Sequence, residues 1–150
     1  MPITDEQFQT NIDRKGAFLK LAGEVLGLYK RVEGTSTKLG EVKKMVASDS
    51  LVSKEVADAI KTATNLKFRF IPKPSKNALT SGDKDMRSRL LEVAGFYFNT
   101  MTVPDENSEI LMSQLKTEIK TLAGEVEDFE KNTVAPLKVK VNALDIPIWK

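Results

Sequence analysis

Apolar residues alternate at three- and four-residue spacings along most of this chain. The first such stripe is unbroken over almost thirty residues, and all but one of its positions are apolar. Its members are Phe18, Leu21, Val25, Leu28, Val32, Thr35, Leu39, Val42 and Val46. This spacing keeps side chains on one face of an α-helix, whereas a strand would need a two-residue period. The pattern therefore predicts a helix whose apolar stripe must be covered by other helices.

Gly34, in the stretch VEGTST, is the point at which this first helix could break. A loop there would be free to reset the spacing, but the stripe keeps its register on both sides. The sequence therefore favours one long helix, in which Gly34 costs about 1 kcal/mol relative to alanine. A helix–turn–helix at Gly34 is the alternative.

Three more stripes with the same spacing follow. Their members are Val52, Val56, Ala59, Ala63, Leu66 and Phe70, then Met86, Leu90, Val93 and Tyr97, then Met112, Leu115, Ile119, Leu122, Val126 and Phe129. Beyond Phe129 the apolar positions continue one residue out of phase, at Val134, Leu137, Val141 and Leu144. Pro136 lies within this shift, where it predicts a kink in the last helix.

Capping signals and helix breakers mark the helix ends. Thr4 and Gln7 have the spacing of a capping box, after which Phe8 and Ile12 are expected to begin the apolar face. The predicted helices cover about 4–48, 52–70, 83–101 and 104–144. The fold class that follows is all-α, an antiparallel four-helix bundle with long first and last helices, in a single domain over 1–150.

The chain has neither histidine nor cysteine. Thiol catalysis, zinc–thiolate sites, disulfides, the Ser-His-Asp triad and imidazole metal ligation are therefore excluded. The net charge is only +2, so the chain does not have the strong positive potential that is expected of a dedicated nucleic-acid binder. We expect a protein that is not an enzyme and that has no cofactor, no metal site and no small-molecule substrate.

An acidic run, GEVEDFEK, places four carboxylates close together on the last helix. They belong to Glu125, Glu127, Asp128 and Glu130. Carboxylates can hold a divalent cation, but Val126 and Phe129 already mark the buried side of this helix. We interpret the run as a solvated outer face.

The stretch LKFRFIPKPSK, residues 66–76, interleaves aromatic and basic side chains. It has three interpretations: the end of a helix whose stripe Phe70 completes, a short extended segment, or a binding surface for an anionic lipid or a nucleic acid. In the third, Phe68 would stack on a base or enter a membrane while the cations hold phosphates. The candidate surface consists of Lys67, Phe68, Arg69, Lys73, Lys76 and the single tryptophan, Trp149.

The second half of the chain resembles the C-terminal helical region of large bacterial sortilin-like proteins, which carry β-propellers with Asp-box repeats. The similarity lies in an Asp before a Leu-rich helix, a VPD helix start, a late FEKNTVAPL and a closing LDIPI. The stretch LYKRVEGTSTKLGEV extends it to the first helix. The resemblance implies an exported parent whose propeller carries any hydrolytic or binding activity, and it transfers no catalytic residue to this chain.

The expected function is that of a structural or protein-interaction module, a terminal domain of a larger exported protein. Its expected partner is another protein or the rest of the parent chain. The alternative is a peripheral binder of anionic lipid or nucleic acid through residues 61–76. The polar, acidic first ten residues do not predict a signal peptide. The resemblance implies a periplasmic or extracellular location, whereas a native start at Met1 would imply the cytoplasm.

Overall fold

The computed structural model describes residues 4–72, 85–98 and 106–144, and these stretches are helical and contain no strand. The helices are α1 (Asp5–Met45), α2 (Ser50–Phe70), α3 (Met86–Phe98), α4 (Glu106–Phe129), a π-helical segment (Glu130–Val134) and α5 (Ala135–Asn142). Since α4, the π-helical segment and α5 follow one another without a break, they form a single long last helix. The predicted all-α bundle with long first and last helices is confirmed.

Gly34 does not interrupt α1, which is one continuous helix. The helix–turn–helix alternative is therefore wrong. A Cβ atom added at Gly34 would meet no neighbouring atom within 4 Å. Packing therefore does not require glycine at this position. Gly34 lowers the stability of the helix relative to alanine, and no contact within the chain compensates for this loss.

The starts of α1, α2 and α3 are held by side-chain caps. The Thr4 backbone N–H donates to Gln7 Oε1 at 3.0 Å, and the Gln7 N–H donates to Thr4 Oγ1 at 3.1 Å. This is the predicted capping box. At α2, Asp49 accepts a hydrogen bond from the Val52 N–H at 3.1 Å. At α3, the cap is Asp85, whose carboxylate accepts from the Ser88 N–H at 2.9 Å.

Two compact units make up the chain. The first comprises Met1–Gly27 and Arg69–Thr121, and the second comprises Leu28–Phe68 and Leu122–Lys150. The first groups the beginning of α1 with α3 and most of α4, and the second groups the rest of α1 with α2 and the end of the last helix. The expectation of one domain stays a prediction.

The apolar stripes form the cores of these units. All stripe positions of α2 and α4 are buried, namely Val52, Val56, Ala59, Ala63, Leu66 and Phe70, and Met112, Leu115, Ile119, Leu122, Val126 and Phe129. In α1 the stripe is buried except at Leu21 and Thr35, which are half-buried. The spacing therefore identified the core face of each of these helices.

The first turns of α1 differ from the prediction. Phe8 and Ile12 are exposed to 57% and 46%, and the buried side chain in this region is Asn11, at 6%. The physical reason is register: the three- and four-residue spacing, continued backwards from Phe18, falls on Asn11 and not on Ile12. Successive residues of an α-helix point roughly 100° apart, so Ile12 lies off the core face.

The phase shift in the last helix coincides with the π-helical segment. The Ala135 N–H donates to the Glu130 carbonyl, five residues earlier, so this turn holds one residue more than an α-helical turn. The extra residue brings Leu137 and Val141 back to the buried side, at 4% and 0% exposure. Pro136 lies in the first turn of α5, so the irregularity falls where the sequence predicts a kink.

Candidate interaction surface

The end of α2 carries the described part of the basic–aromatic surface suggested by the sequence. α2 continues through Phe70, which is 2% exposed. For residues 66–70 the helical interpretation is therefore correct, and the extended-segment interpretation is wrong. Lys67 and Phe68 are half-buried, and Arg69 is exposed. The other three candidates, Lys73, Lys76 and Trp149, lie outside the described residues.

Three consecutive residues on a helix do not form one face. Lys67, Phe68 and Arg69 point roughly 100° apart from one another, and half-burial leaves Phe68 only part of its ring for stacking. The three residues are therefore adjacent in sequence, but their side chains do not form a common surface. Binding of lipid or nucleic acid here stays a prediction.

The acidic run of the last helix forms ion pairs. Glu127 accepts from Lys131, with 2.8 Å between Oε1 and Nζ, and Glu130 pairs with Arg31 of α1. The hydrogen bond from Lys131 and then its charge hold the pKa of Glu127 below the ordinary value of 4.5. Within the part of the chain that the structure describes, no three acidic residues are grouped so that they could hold a metal ion.

An exposed apolar row on α1 was not identified from the sequence. We call Phe8, Ile12, Leu19 and Leu26 the outer row, and their exposures are 57%, 46%, 59% and 52%. The spacing of four, seven and seven residues places them on one side of the helix. The signal was present in the sequence, because Ile12, Leu19 and Leu26 each follow a core position directly.

Three glycines of α1 lie beside the outer row. Gly16, Gly23 and Gly27 are exposed, and a Cβ atom added at any of them would meet no atom within 4 Å. We call them the glycine row. It lies roughly 60° further around the helix than the outer row, on the side away from the core. The helix backbone is therefore accessible along the glycine row, next to the large apolar side chains of the outer row.

Contacts within the first unit hold α1 in place behind the outer row. The Phe18 ring meets the Phe98 ring edge-on, with 5.8 Å between centroids. Lys15 Nζ lies 5.6 Å from the centroid of the Phe98 ring, a cation–π contact. Arg14 forms an ion pair with Glu109 of α4. Phe18 and Arg14 lie on the inner face of α1, whereas Lys15 lies at its edge, beside the outer row, and the outer row itself stays exposed.

Other exposed large apolar side chains are scattered. They are distributed over α1, α2, α3 and the long last helix, and they are Met45, Leu51, Leu91, Phe98, Ile110 and Val139. Isolated apolar residues are ordinary on protein surfaces. The outer row is different, because its four side chains share one side of a single helix, and exposed apolar residues that are grouped mark interaction sites. The outer row is therefore the candidate functional surface of the described residues.

Comparisons with the models of known protein families, with curated proteins and with solved structures find no match. No described helix is long and apolar enough to cross a membrane.

Proposed function

We propose that this chain is a non-catalytic helical bundle that acts as a structural or protein–protein interaction module through the outer face of α1. The observation that carries the proposal is the outer row itself. Phe8, Ile12, Leu19 and Leu26 run along about five turns of one helix, each at least 46% exposed. Exposed apolar area of this extent is costly in water and is retained where a partner covers it.

The charges beside the outer row favour a protein partner. Asp13, Lys20 and Glu24 flank the glycine row on its far side, and they have mixed signs. A helix that binds an anionic membrane carries mostly lysine and arginine on its polar face. A nucleic-acid surface would need a continuous basic strip. An apolar ridge with mixed charges at its edge is typical of a protein interface.

The chemistry of the chain supports a role without catalysis. Histidine and cysteine, which supply most general bases and thiol nucleophiles, do not occur in the sequence. A pKa shift of Glu127 arises from an exposed pair with Lys131, which is a structural contact and not the perturbed cleft residue expected of an active site.

The resemblance of residues 82–149 to sortilin-like proteins supports one further part of the proposal, that the bundle is the terminal domain of a larger exported protein. The genomic reading frame tests it. A frame that continues upstream of the Met1 codon and encodes a β-propeller is the expected result, and a stop codon directly upstream would contradict it.

Site-specific photo-crosslinking tests the interaction role. A photoreactive phenylalanine analogue placed at Leu19 or Leu26 and activated in the native host should give a discrete covalent adduct. Matched controls at Leu51 and Leu91, which are 76% and 65% exposed, should give none. The controls have equal or greater solvent access, so they separate a specific partner from random collision.

The outcomes are distinct. An adduct from α1 positions alone supports the proposal, whatever the mass of the partner. No adduct from Leu19 and Leu26, or the same adducts from all four positions, would contradict it.

A further inference from the structure

We propose that the outer row binds a second copy of this chain, with the two α1 helices antiparallel and centred between Ala17 and Phe18. This inference rests on the interaction role proposed above and names the partner. It follows from how the outer row, the glycine row and the charges at their ends are distributed along one helix.

The outer row and the glycine row are complementary in size. In the antiparallel alignment centred between Ala17 and Phe18, three large side chains lie level with glycines of the other copy. The pairs are Phe8 with Gly27, Ile12 with Gly23, and Leu19 with Gly16. Because the alignment is symmetric, each pair occurs twice.

The three glycines thereby acquire a role that the single chain does not give them. Each costs about 1 kcal/mol of helix propensity relative to alanine, and none has a neighbour within 4 Å of its Cβ position. In the dimer they admit the side chains of the other copy and let the two backbones approach closely. Large side chains then enter the gaps between their counterparts, as in knobs-into-holes packing.

The charges beyond the two ends of the outer row are complementary as well. Asp5 and Lys30 lie on the same side of α1 as the outer row, beyond its two ends. The same antiparallel alignment brings Asp5 of each copy level with Lys30 of the other. A parallel pair would instead bring Asp5 to Asp5 and Lys30 to Lys30. Like charges at both ends disfavour that arrangement, so the charges select the antiparallel one.

The length of the paired helices determines how large the contact is. From Asp5 to Lys30 the helix is roughly 40 Å long, and one helix pair of this length provides an interface at the small end of those found in specific complexes. We therefore expect a reversible dimer with a dissociation constant on the order of micromolar. The symmetry is that of the commonest homodimers, in which the same patch is used twice.

Disulfide trapping tests the alignment, and the natural chain contributes no cysteine of its own. The variants Ile12→Cys and Gly23→Cys are prepared with different tags and mixed under oxidising conditions. The antiparallel dimer brings position 12 of one copy to position 23 of the other, so the mixed disulfide should form and the two homodisulfides should not. Leu91→Cys serves as the control for random collision.

Sedimentation equilibrium tests the association without a covalent link. Gly23→Leu fills the space that Ile12 of the other copy occupies, so the dissociation constant should rise at least roughly tenfold. Helix content should not fall, because leucine is a better helix former than glycine. Gly124→Leu is the matched control, since Gly124 of α4 is also exposed with nothing near its Cβ position, and it should leave the constant unchanged.

Gly23→Ala provides a second, smaller change if the leucine variant does not fold, and it should weaken association while it stabilises the helix. Formation of the 12–12 and 23–23 disulfides in place of the mixed one would overturn the antiparallel alignment. A wild-type chain that stays monomeric well above micromolar concentration would overturn the dimer. If such a monomer still gave an adduct with another protein from Leu19, the interaction role would stand and the self-association alone would fall.

Discussion

Leu122 shows how strongly single residues hold the core. It lies in α4 with 1% of its surface exposed, so its replacement by alanine would leave a cavity that rigid helices fill only in part. We expect Leu122→Ala to lower the free energy of unfolding by about 2–5 kcal/mol. Urea unfolding followed by far-ultraviolet circular dichroism measures this change.

Leu51 provides the control for Leu122. It is 76% exposed on α2, and truncation of an exposed side chain changes stability by about 0.5 kcal/mol or less. Equal losses for Leu122→Ala and Leu51→Ala would contradict the assignment of the core.

Glu127 and Lys131 carry a pH dependence whose direction is determined by their contact. The hydrogen bond and charge of Lys131 lower the pKa of Glu127 in the folded chain. The contribution of the pair to stability is therefore present above pH 4.5 and is lost as the pH falls through the lowered pKa. The pair is exposed, so salt should weaken it.

Carboxyl NMR titration measures this effect directly. Lys131→Met should raise the pKa of Glu127 towards its ordinary value of 4.5, whereas Lys138→Met, a change elsewhere in the last helix, should not. A titration midpoint that is the same in wild type and Lys131→Met would contradict the pairing.

The last helix illustrates what one inserted residue does at the scale of an element. Its π-helical segment, Glu130–Val134, restores the apolar face after a one-residue shift in the sequence. Deletion of Asn132, which is exposed in this segment, would remove the shift. The stripe through Phe129 and Leu137 would then be continuous at three- and four-residue spacings.

We therefore expect the Asn132 deletion to fold and to keep most of its thermal stability. Deletion of Thr121, an exposed residue of the regular part of α4, rotates every later side chain by roughly 100° and should unfold the second unit. Circular dichroism melting curves compare the two. Similar melting temperatures for both deletions would show that the π-helical segment does not absorb the extra residue.

At the scale of the whole molecule, self-association links stability to concentration. A ligand or partner that binds the folded state stabilises it by mass action. The melting temperature of the wild type should accordingly rise with protein concentration across the micromolar range. Leu19→Lys places a charge in the outer row and should make the melting temperature independent of concentration.

Leu91→Lys introduces the same charge at a leucine that is 65% exposed on α3 and should preserve the concentration dependence. Differential scanning calorimetry at several concentrations makes the comparison. A dependence that survives in Leu19→Lys would show that association uses another surface.

Most of the fold was predictable, because local rules and the global packing agree. The capping box of Thr4 and Gln7 and the buried stripe from Met112 to Phe129 follow from side-chain chemistry and helix geometry alone. The prediction for Phe8 and Ile12 was wrong because it relied on their apolar character. The helical spacing counted back from Phe18 assigns the core position to Asn11. The basic–aromatic stretch suggested a binding surface because of its composition. In the structure, however, the side chains of Lys67, Phe68 and Arg69 point in different directions around α2.

By itself the sequence determined the all-α class, the continuous first helix and the core faces of α2, of α4 and of α1 from Phe18 onwards, because these depend on periodicity within a segment. The tertiary structure alone decided which helices meet. The Phe18 ring of α1 lies against the Phe98 ring of α3, and Arg14 of α1 forms an ion pair with Glu109 of α4. Periodicity within one helix shows which face is covered, but it carries no record of which helix covers it.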